Sequence, residues 1–342
     1  MKRRKVYAVV LAAMLLLSAL TGCGGDKGSA QGSDGSGESG AWEPDGPVTM
    51  IAAAAAGSGY DTSARSFAQL FNETGIVKQT IKVTNDSGAN GQVGFTNFAH
   101  NYEGRGDALI AASTSSISIA VANEWEVSTE DFTPIAKLVT DAFTIVVNPD
   151  NTELDTIDKI TARLKEDPGS ITIGAAGAPD PDYIGLALYM QSIGVDINDV
   201  QYVVYEGGGE QLASLMGGHI DIAASSLSEF SAAVEAGQVK AVAVATEERM
   251  GGSYADTPTF REQGVDLVFG NWRGFWGPKN MPAEAVEYWR NAAKAAVETE
   301  EWTALCENMQ WVSEPVIDDA QAWTEQFESD IIQVCRDAGI IE

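Results

Sequence analysis

Apolar and polar positions along this chain fall into a strand, small-residue loop and helix pattern that recurs through most of its length. An apolar run from Met50 to Ala56 leads into Gly57-Ser58-Gly59-Tyr60-Asp61, after which Ala64, Phe67, Ala68 and Phe71 recur at helical spacing. This predicts a strand, a glycine turn and a helix over 61–74 with Asp61 as its N-cap. Residues 80–85 alternate as a strand, and the loop 87–94 leads into a helix through Phe95, Phe98 and Ala99. A third unit runs from a strand over 108–112, through the hydroxyl-rich turn Ser113-Thr114-Ser115-Ser116, into a helix from Ile117 onward.

After Phe132-Thr133-Pro134-Ile135, the β-branched run 143–147 predicts a buried strand that ends at Asn148-Pro149. A second set follows. It comprises a helix over 157–165, a strand over 171–174 with the loop 175–182, a helix over 183–192, a strand over 201–204 with the loop 205–209, and a helix over 210–216. Strands over 220–223, opening on Ala224-Ser225-Ser226, and over 239–246 complete it. The aromatic strand 271–279 returns the chain to the first set, where helices over 283–298 and 319–338 read as cover for the first sheet. Two successive sets imply an α/β protein of two domains with parallel sheets, whose ligands lie beyond the carboxyl ends of the strands. The expected domains are 47–145 with 274–342, and 146–273.

The N-terminal end adds a destination. Lys2, Arg3, Arg4 and Lys5 precede an uncharged apolar segment over 6–20, shorter than the roughly 20 residues that span a membrane. Residues 1–22 therefore read as a secretory signal. Leu20-Thr21-Gly22-Cys23 resembles the bacterial lipobox, which implies cleavage before Cys23 and lipidation of its thiol. Gly, Ser and acid dominate the next stretch, so 23–46 reads as a lipid-anchored flexible linker. The expected location is extracytoplasmic, at the outer face of the cytoplasmic membrane.

Charge narrows the partners. Lys and Arg number 21 against 49 Asp and Glu, a formal net charge of −28. Such a surface repels nucleic acid and anionic membranes. It leaves room for an anionic ligand, because distant surface charge is screened while N–H donors act at contact. With Cys23 assigned to the anchor, Cys306 and Cys335 are candidates for a disulfide between two C-terminal helices.

The first glycine turn is the leading chemical feature. A small-residue loop that feeds a helix N-terminus aims unpaired N–H groups at a ligand and forms an anion cradle. Catalytic patterns are missing by contrast: His100 and His219 are the only histidines, and there is no G-x-S-x-G elbow or metal-spaced cluster. Gly88, Gly91 and Gly94 lack the close first pair of a dinucleotide site. The expectation is a binding protein, not an enzyme, with no cofactor and no metal.

Several landmarks together resemble the extracytoplasmic solute receptors of tripartite tricarboxylate transporters, the TctC or Bug family. They are Gly57-Ser58-Gly59-Tyr60-Asp61 with Arg65, Asn85 with Gly88-Ala89-Asn90-Gly91, Phe132-Thr133-Pro134-Ile135, Gly217-Gly218-His219-Ile220-Asp221, Asp256-Thr257-Pro258-Thr259-Phe260 with Gly264, and Trp272-Arg273-Gly274-Phe275 with Gly277-Pro278. The resemblance implies a two-domain, periplasmic-binding-protein-like (Venus flytrap) α/β fold with crossover strands at 143–148 and 273–278. It also implies a monomeric receptor that binds a small carboxylate through backbone groups, hydroxyls and water and works with integral membrane subunits. The chain departs from the family where Ser58 separates Gly57 from Gly59, and where Ser225 or Ser226 stands in place of an acid.

Candidate ligand contacts are Gly57, Ser58, Gly59, Tyr60, Asn90, Ser113, Thr114 and Ser115 on one jaw. Gly177, Ala178, Pro179, Asp182, Gly207, Gly208, Ser225 and Ser226 form the other, and Arg273 can supply a carboxylate fork or instead pair with a surface acid. Asp61 and Arg65, four apart on a helix, read as a structural pair. Asp180, Asp182, Glu206 and Glu210 read as a solvated acidic rim, with an ammonium partner as the sharper alternative. Receptors of another transporter or sensor system, and a secreted hydrolase, are the competing classes.

Overall fold

The computed structural model describes residues 41–205 and 207–342. The signal, Cys23, most of the linker and Glu206 lie outside the described residues. β1 (Val48–Ala52) ends earlier than the apolar run suggests, because the later alanines turn outward: Ala52 and Ala53 are buried, whereas Ala55 and Ala56 are exposed. α1 (Gly59–Glu73), β2 (Ile81–Asn85), α2 (Gln92–Tyr102), β3 (Ala108–Ser113) and α3 (Thr114–Ala122) then follow the predicted plan. Helix α3 starts at Thr114, so most of the expected hydroxyl turn is helix.

β4 (Phe132–Val147) is the largest departure, running for 16 residues where the sequence suggests a strand only from Phe143. Pro134 hides its first part from a reading by strand propensity. The strand absorbs it with register shifts at Pro134/Ala136 and Lys137/Val139. α4 (Ile157–Glu166), β5 (Ile173–Ala175), α5 (Pro181–Ile193), β6 (Tyr202–Val204), α6 (Gly208–Met216), β7 (Ile222–Ser226), α7 (Leu227–Glu235) and β8 (Lys240–Val244) make the second set. β9 (Gly270–Pro278), α8 (Ala283–Val297), α9 (Glu300–Met309), β10 (Val312–Val316) and α10 (Ala320–Asp337) end the chain.

Strand β4 belongs to two sheets. Its residues up to Ala142 pair with β9, and Phe143 to Val147 pair with β7 and β8. The first sheet runs β2-β1-β3-β9-β4, and the second continues β4-β7-β5-β6. The sheets are mixed, not parallel: β1 lies parallel to β2 and β3, while β9 is antiparallel to β3 and β4 and β7 is antiparallel to β4. A strand that carries the chain between two sheets must return in the opposite sense, which accounts for the antiparallel pairs. Phe67, Phe275 and Trp289 meet in one core of the first sheet, and Phe95, Trp272 and Trp276 in another.

Helix α10 is not confined to the first sheet. Its Trp323 and Phe327 rings pack against Trp272, but Ile331 and Cys335 pack against Ile184 of α5. The expected disulfide is also absent. Cys306 sits in a core with Trp302 and Trp311, Cys335 sits in the separate cluster under α5, and both are free thiols. Burial pushes their thiols up to about 12 and about 11, so each behaves as an inert apolar filler.

Candidate functional site

The strand ends of the first sheet bring Gly57 to Tyr60, Ser113 to Ser116 and Arg273 together. Ser58 is the N-cap of α1, with its Oγ accepting the Asp61 N–H at 3.3 Å. Asp61, expected as the cap, lies inside the helix and reaches back to accept the Gly57 N–H at 2.9 Å. It also accepts from Asn85 Nδ2 at 2.8 Å and pairs with Arg65 at 2.9 Å, as the four-residue spacing suggests. The Arg65 hydrogen bond, helped by those from Gly57 and Asn85, holds the Asp61 carboxyl down at about 2. This knot fixes the turn at Gly57, whose φ of 84° favours glycine. The N–H groups of Gly59 and Tyr60 have no protein partner among the described residues.

Ser113 and Ser116 form a capping box at the start of α3, with the Ser113 N–H donating to Ser116 Oγ at 2.9 Å. Ser116 Oγ also meets the Tyr60 hydroxyl at 3.0 Å, which ties the first loop to the third. Burial pushes the Tyr60 phenol up to about 12, so it stays neutral. Thr114 is fully buried and committed to β9: its N–H donates to Asn271 Oδ1 and its Oγ1 accepts the Trp272 N–H, each at 3.2 Å. It is a strand-to-helix tie, not a cleft hydroxyl. Ser115 is buried beside it, and Asn90 sits in an exposed turn with φ 55°.

Arg273 on β9 lies opposite Ser113 and is only 7% exposed. Its Nη2 donates to Asp141 Oδ2 at 2.9 Å, so the partner is a buried acid and not a surface one. Asp141 is fully buried and also accepts from the Ser228 N–H at 3.2 Å and Oγ at 2.6 Å. The Nη1 of Arg273 presses on α1: a Cβ at Gly59 would stand 2.6 Å from it. Gly59 is therefore glycine because the guanidinium occupies its side-chain space.

The second sheet contributes acids. Asp180 caps α5 by accepting the Asp182 N–H at 3.0 Å, Asp182 accepts the Ser225 hydroxyl at 2.6 Å, and Glu229 accepts the Gly208 N–H at 3.2 Å. Gly177, Ala178 and Pro179 form the turn before α5, Gly207 precedes α6, and Ser226 caps α7 without a side-chain bond. Burial raises Asp180 to about 6 against the opposing pull of Arg273. Burial and the Asp180 charge hold Asp182 well above the ordinary carboxylate range. Asp141 of β4 accepts from both Arg273 of β9 and Ser228 of α7, so residues of the two sheets' ends meet at one carboxylate.

These shifts set a pH dependence. Between the ordinary carboxylate value and about 6, folded Asp180 holds a proton that the unfolded chain has released. Stability therefore falls as pH rises through that window. Asp61 acts in the opposite sense, and its contribution is lost as pH falls towards about 2. The thermal midpoint of ligand-free protein is expected to be higher at pH 5 than at pH 7, and Asp180→Asn to narrow that difference by roughly 2–4 °C per kcal/mol removed. An unchanged difference in the variant, followed by calorimetry, would contradict the assignment.

Asp141, Ser116, Ser228 and Glu229 belong to the site without having been marked as candidates by the sequence. Only Asp141 leaves a signal there, as a lone acid between Val139 and Phe143 in an apolar run.

A family model described as the tripartite tricarboxylate transporter family receptor, TctC, matches residues 64–342. The chain belongs to that family. This receptor is 30% identical over 256 residues to the UPF0065 protein in the TAR-I ttuE-ttuC' intergenic region of Agrobacterium vitis, covering 74% of this chain and 72% of that one. Its fold matches a ligand-free TctC solute-binding protein from Polaromonas with a TM-score of 0.71 and 25% identity, covering 86% and 99% of the two chains. It matches MatC of Rhodopseudomonas palustris, solved with malate, with a TM-score of 0.68 and 23% identity, covering 87% and 100%. The fold is that of the periplasmic binding proteins, and family membership makes the chain an extracytoplasmic solute-binding receptor. Among the described residues no helix is long and apolar enough to cross a membrane, and no acid, His or Cys group is arranged to hold a metal.

Proposed function

We propose that the receptor closes on a small organic carboxylate and delivers it to the membrane subunits of a tripartite tricarboxylate transporter, while a lipid on Cys23 tethers it outside the cytoplasm. One observation carries this reading: the unpartnered N–H groups of Gly59 and Tyr60 lie beside Arg273 Nη1 at the start of α1. A helix N-terminus and a guanidinium at one point make a strong carboxylate site. The malate bound to MatC is consistent with that chemistry. The arrangement offers hydrogen-bond donors to a ligand, which is what a solute receptor of this family needs.

The moving bodies would be 47–145 with most of 274–342, and 146–273 with the end of α10 attached. Binding favours the closed state through contacts made to both bodies. Saturating carboxylate should lower the radius of gyration in small-angle scattering and raise the thermal midpoint. A ligand at 100 times its dissociation constant adds about 2.7 kcal/mol. A panel of mono-, di- and tricarboxylates that changes neither quantity would refute the reading.

A further inference from the structure

A cavity separate from the carboxylate site lies where residues 250–252, which follow β8, close against α8, α9 and the start of β10. Its volume is about 630 Å³, within the roughly 300–1,000 Å³ of small-molecule sites. Two left-handed residues meet at this junction. Gln310, the C-cap of α9, has φ 53°, and a Cβ on Gly252, whose φ is 59°, would stand 2.7 Å from Gln310 Nε2. None of Gly59, Tyr60, Ser116, Asp141 and Arg273 lines this cavity.

The wall is apolar at Met250, Trp302, Cys306 and Trp311, and Glu307 is its one charged residue, so no Lys or Arg is there to hold an anion. Two adjacent residues of that wall carry buried polar atoms without a partner among the described residues, the Trp311 Nε1 donor and the Gln310 Oε1 acceptor. Both side chains are held in place. Gln310 Nε2 donates to the Glu307 carbonyl at 2.6 Å, and the Trp311 ring packs against Phe67 and the Arg273 guanidinium. Trp302, in the same wall, is the contrast, because its Nε1 donates to Ser313 Oγ at 2.9 Å. A buried indole N–H ordinarily finds such an acceptor. Trp311 is only 4% exposed and has none among the described residues.

We propose that this cavity is a second ligand site, which takes a small uncharged aromatic amide. One donor and one acceptor stand unpaired in a largely apolar wall, and an amide brings the complementary carbonyl oxygen and N–H. An aromatic ring suits the two indole side chains. A carboxylate would find no cation here and would meet Glu307 instead. The site stands independently of the carboxylate-receptor reading, since it uses none of the residues that carry that reading.

The test is calorimetry at pH 7 on the purified receptor, with benzamide, 2-phenylacetamide and indole-3-acetamide as probes and benzoate as the anionic control. At least one amide is expected to bind saturably. Thr303→Trp and Asn308→Trp, at exposed positions of the wall, should each fill the cavity and weaken that binding ten-fold or more while the thermal midpoint stays near the parent's. Trp311→Phe, which keeps a ring and removes the N–H, should weaken it about five-fold, the effect of one lost hydrogen bond. Any benzoate binding belongs to the carboxylate site and should be unaffected by Thr303→Trp. The inference is overturned if none of the three amides binds up to its solubility limit, or if amide binding survives in folded Thr303→Trp and Asn308→Trp proteins. A Trp311→Phe protein that binds the amides as tightly as the parent, or benzoate binding that is lost together with amide binding, would also overturn it.

Discussion

Arg273→Met should weaken carboxylate binding by about 100-fold, the effect of losing one charge-assisted hydrogen-bonding group worth roughly 1.5–3 kcal/mol. The same change should destabilise the fold by about 3–5 kcal/mol, because it strips the cation from a buried ion pair. Asp141 is fully buried, and the two hydrogen bonds from Ser228 do not replace a positive charge. The two losses have different causes and can be separated. Adding Asp141→Asn removes the stranded charge and keeps an acceptor for Ser228, so the double variant should regain most of the stability but none of the affinity. Urea titration and calorimetry on both proteins decide the matter. Restored binding in the double variant would mean that Arg273 serves only to neutralise Asp141.

This division of labour explains what is legible in the sequence. Strand-loop-helix units announce themselves through apolar periodicity and glycine, so α1, α2, α4 and α5 lie close to their expected places. Helices α7 and α9 and strand β10 do not announce themselves. β10 is half-exposed or exposed throughout, and its Pro315 argues against a strand, so neither period nor propensity marks it. Pro134 conceals the first part of β4 for the same reason. Backbone-built parts of the site, such as Ser58 and Gly59, are readable because a helix N-terminus needs only local sequence. The Arg273–Asp141–Ser228 chain is not, since it joins residues 132 and 87 positions apart. Such contacts are set by how β9 and β4 pair, and a single sequence does not contain that register.

Gly274→Val is expected to prevent folding, and Gly274→Ala to cost about 3 kcal/mol or more, the upper range for forcing an atom into a packed core. The reason lies in the pairing of β4 with β9. Gly274 stands opposite Lys137, between the two register shifts of β4, and a Cβ there would fall well inside contact distance of the Ala136 carbonyl oxygen. Backbone is the obstacle, so no rotamer change relieves it. Gly270 is similarly enclosed, with the Asp141 carbonyl oxygen 2.6 Å from its would-be Cβ. Both glycines lie on the strand that also carries Arg273, so the close approach that excludes side chains is what holds Arg273 within reach of Asp141. Gly209→Ala is the contrast: nothing lies within 4 Å of its would-be Cβ, and its helical backbone suits alanine. That variant should match or slightly exceed the parent in urea. If Gly274→Ala unfolds at the parent's midpoint, β4 and β9 do not approach as closely as the structure places them, and the position assigned to Arg273 fails with them.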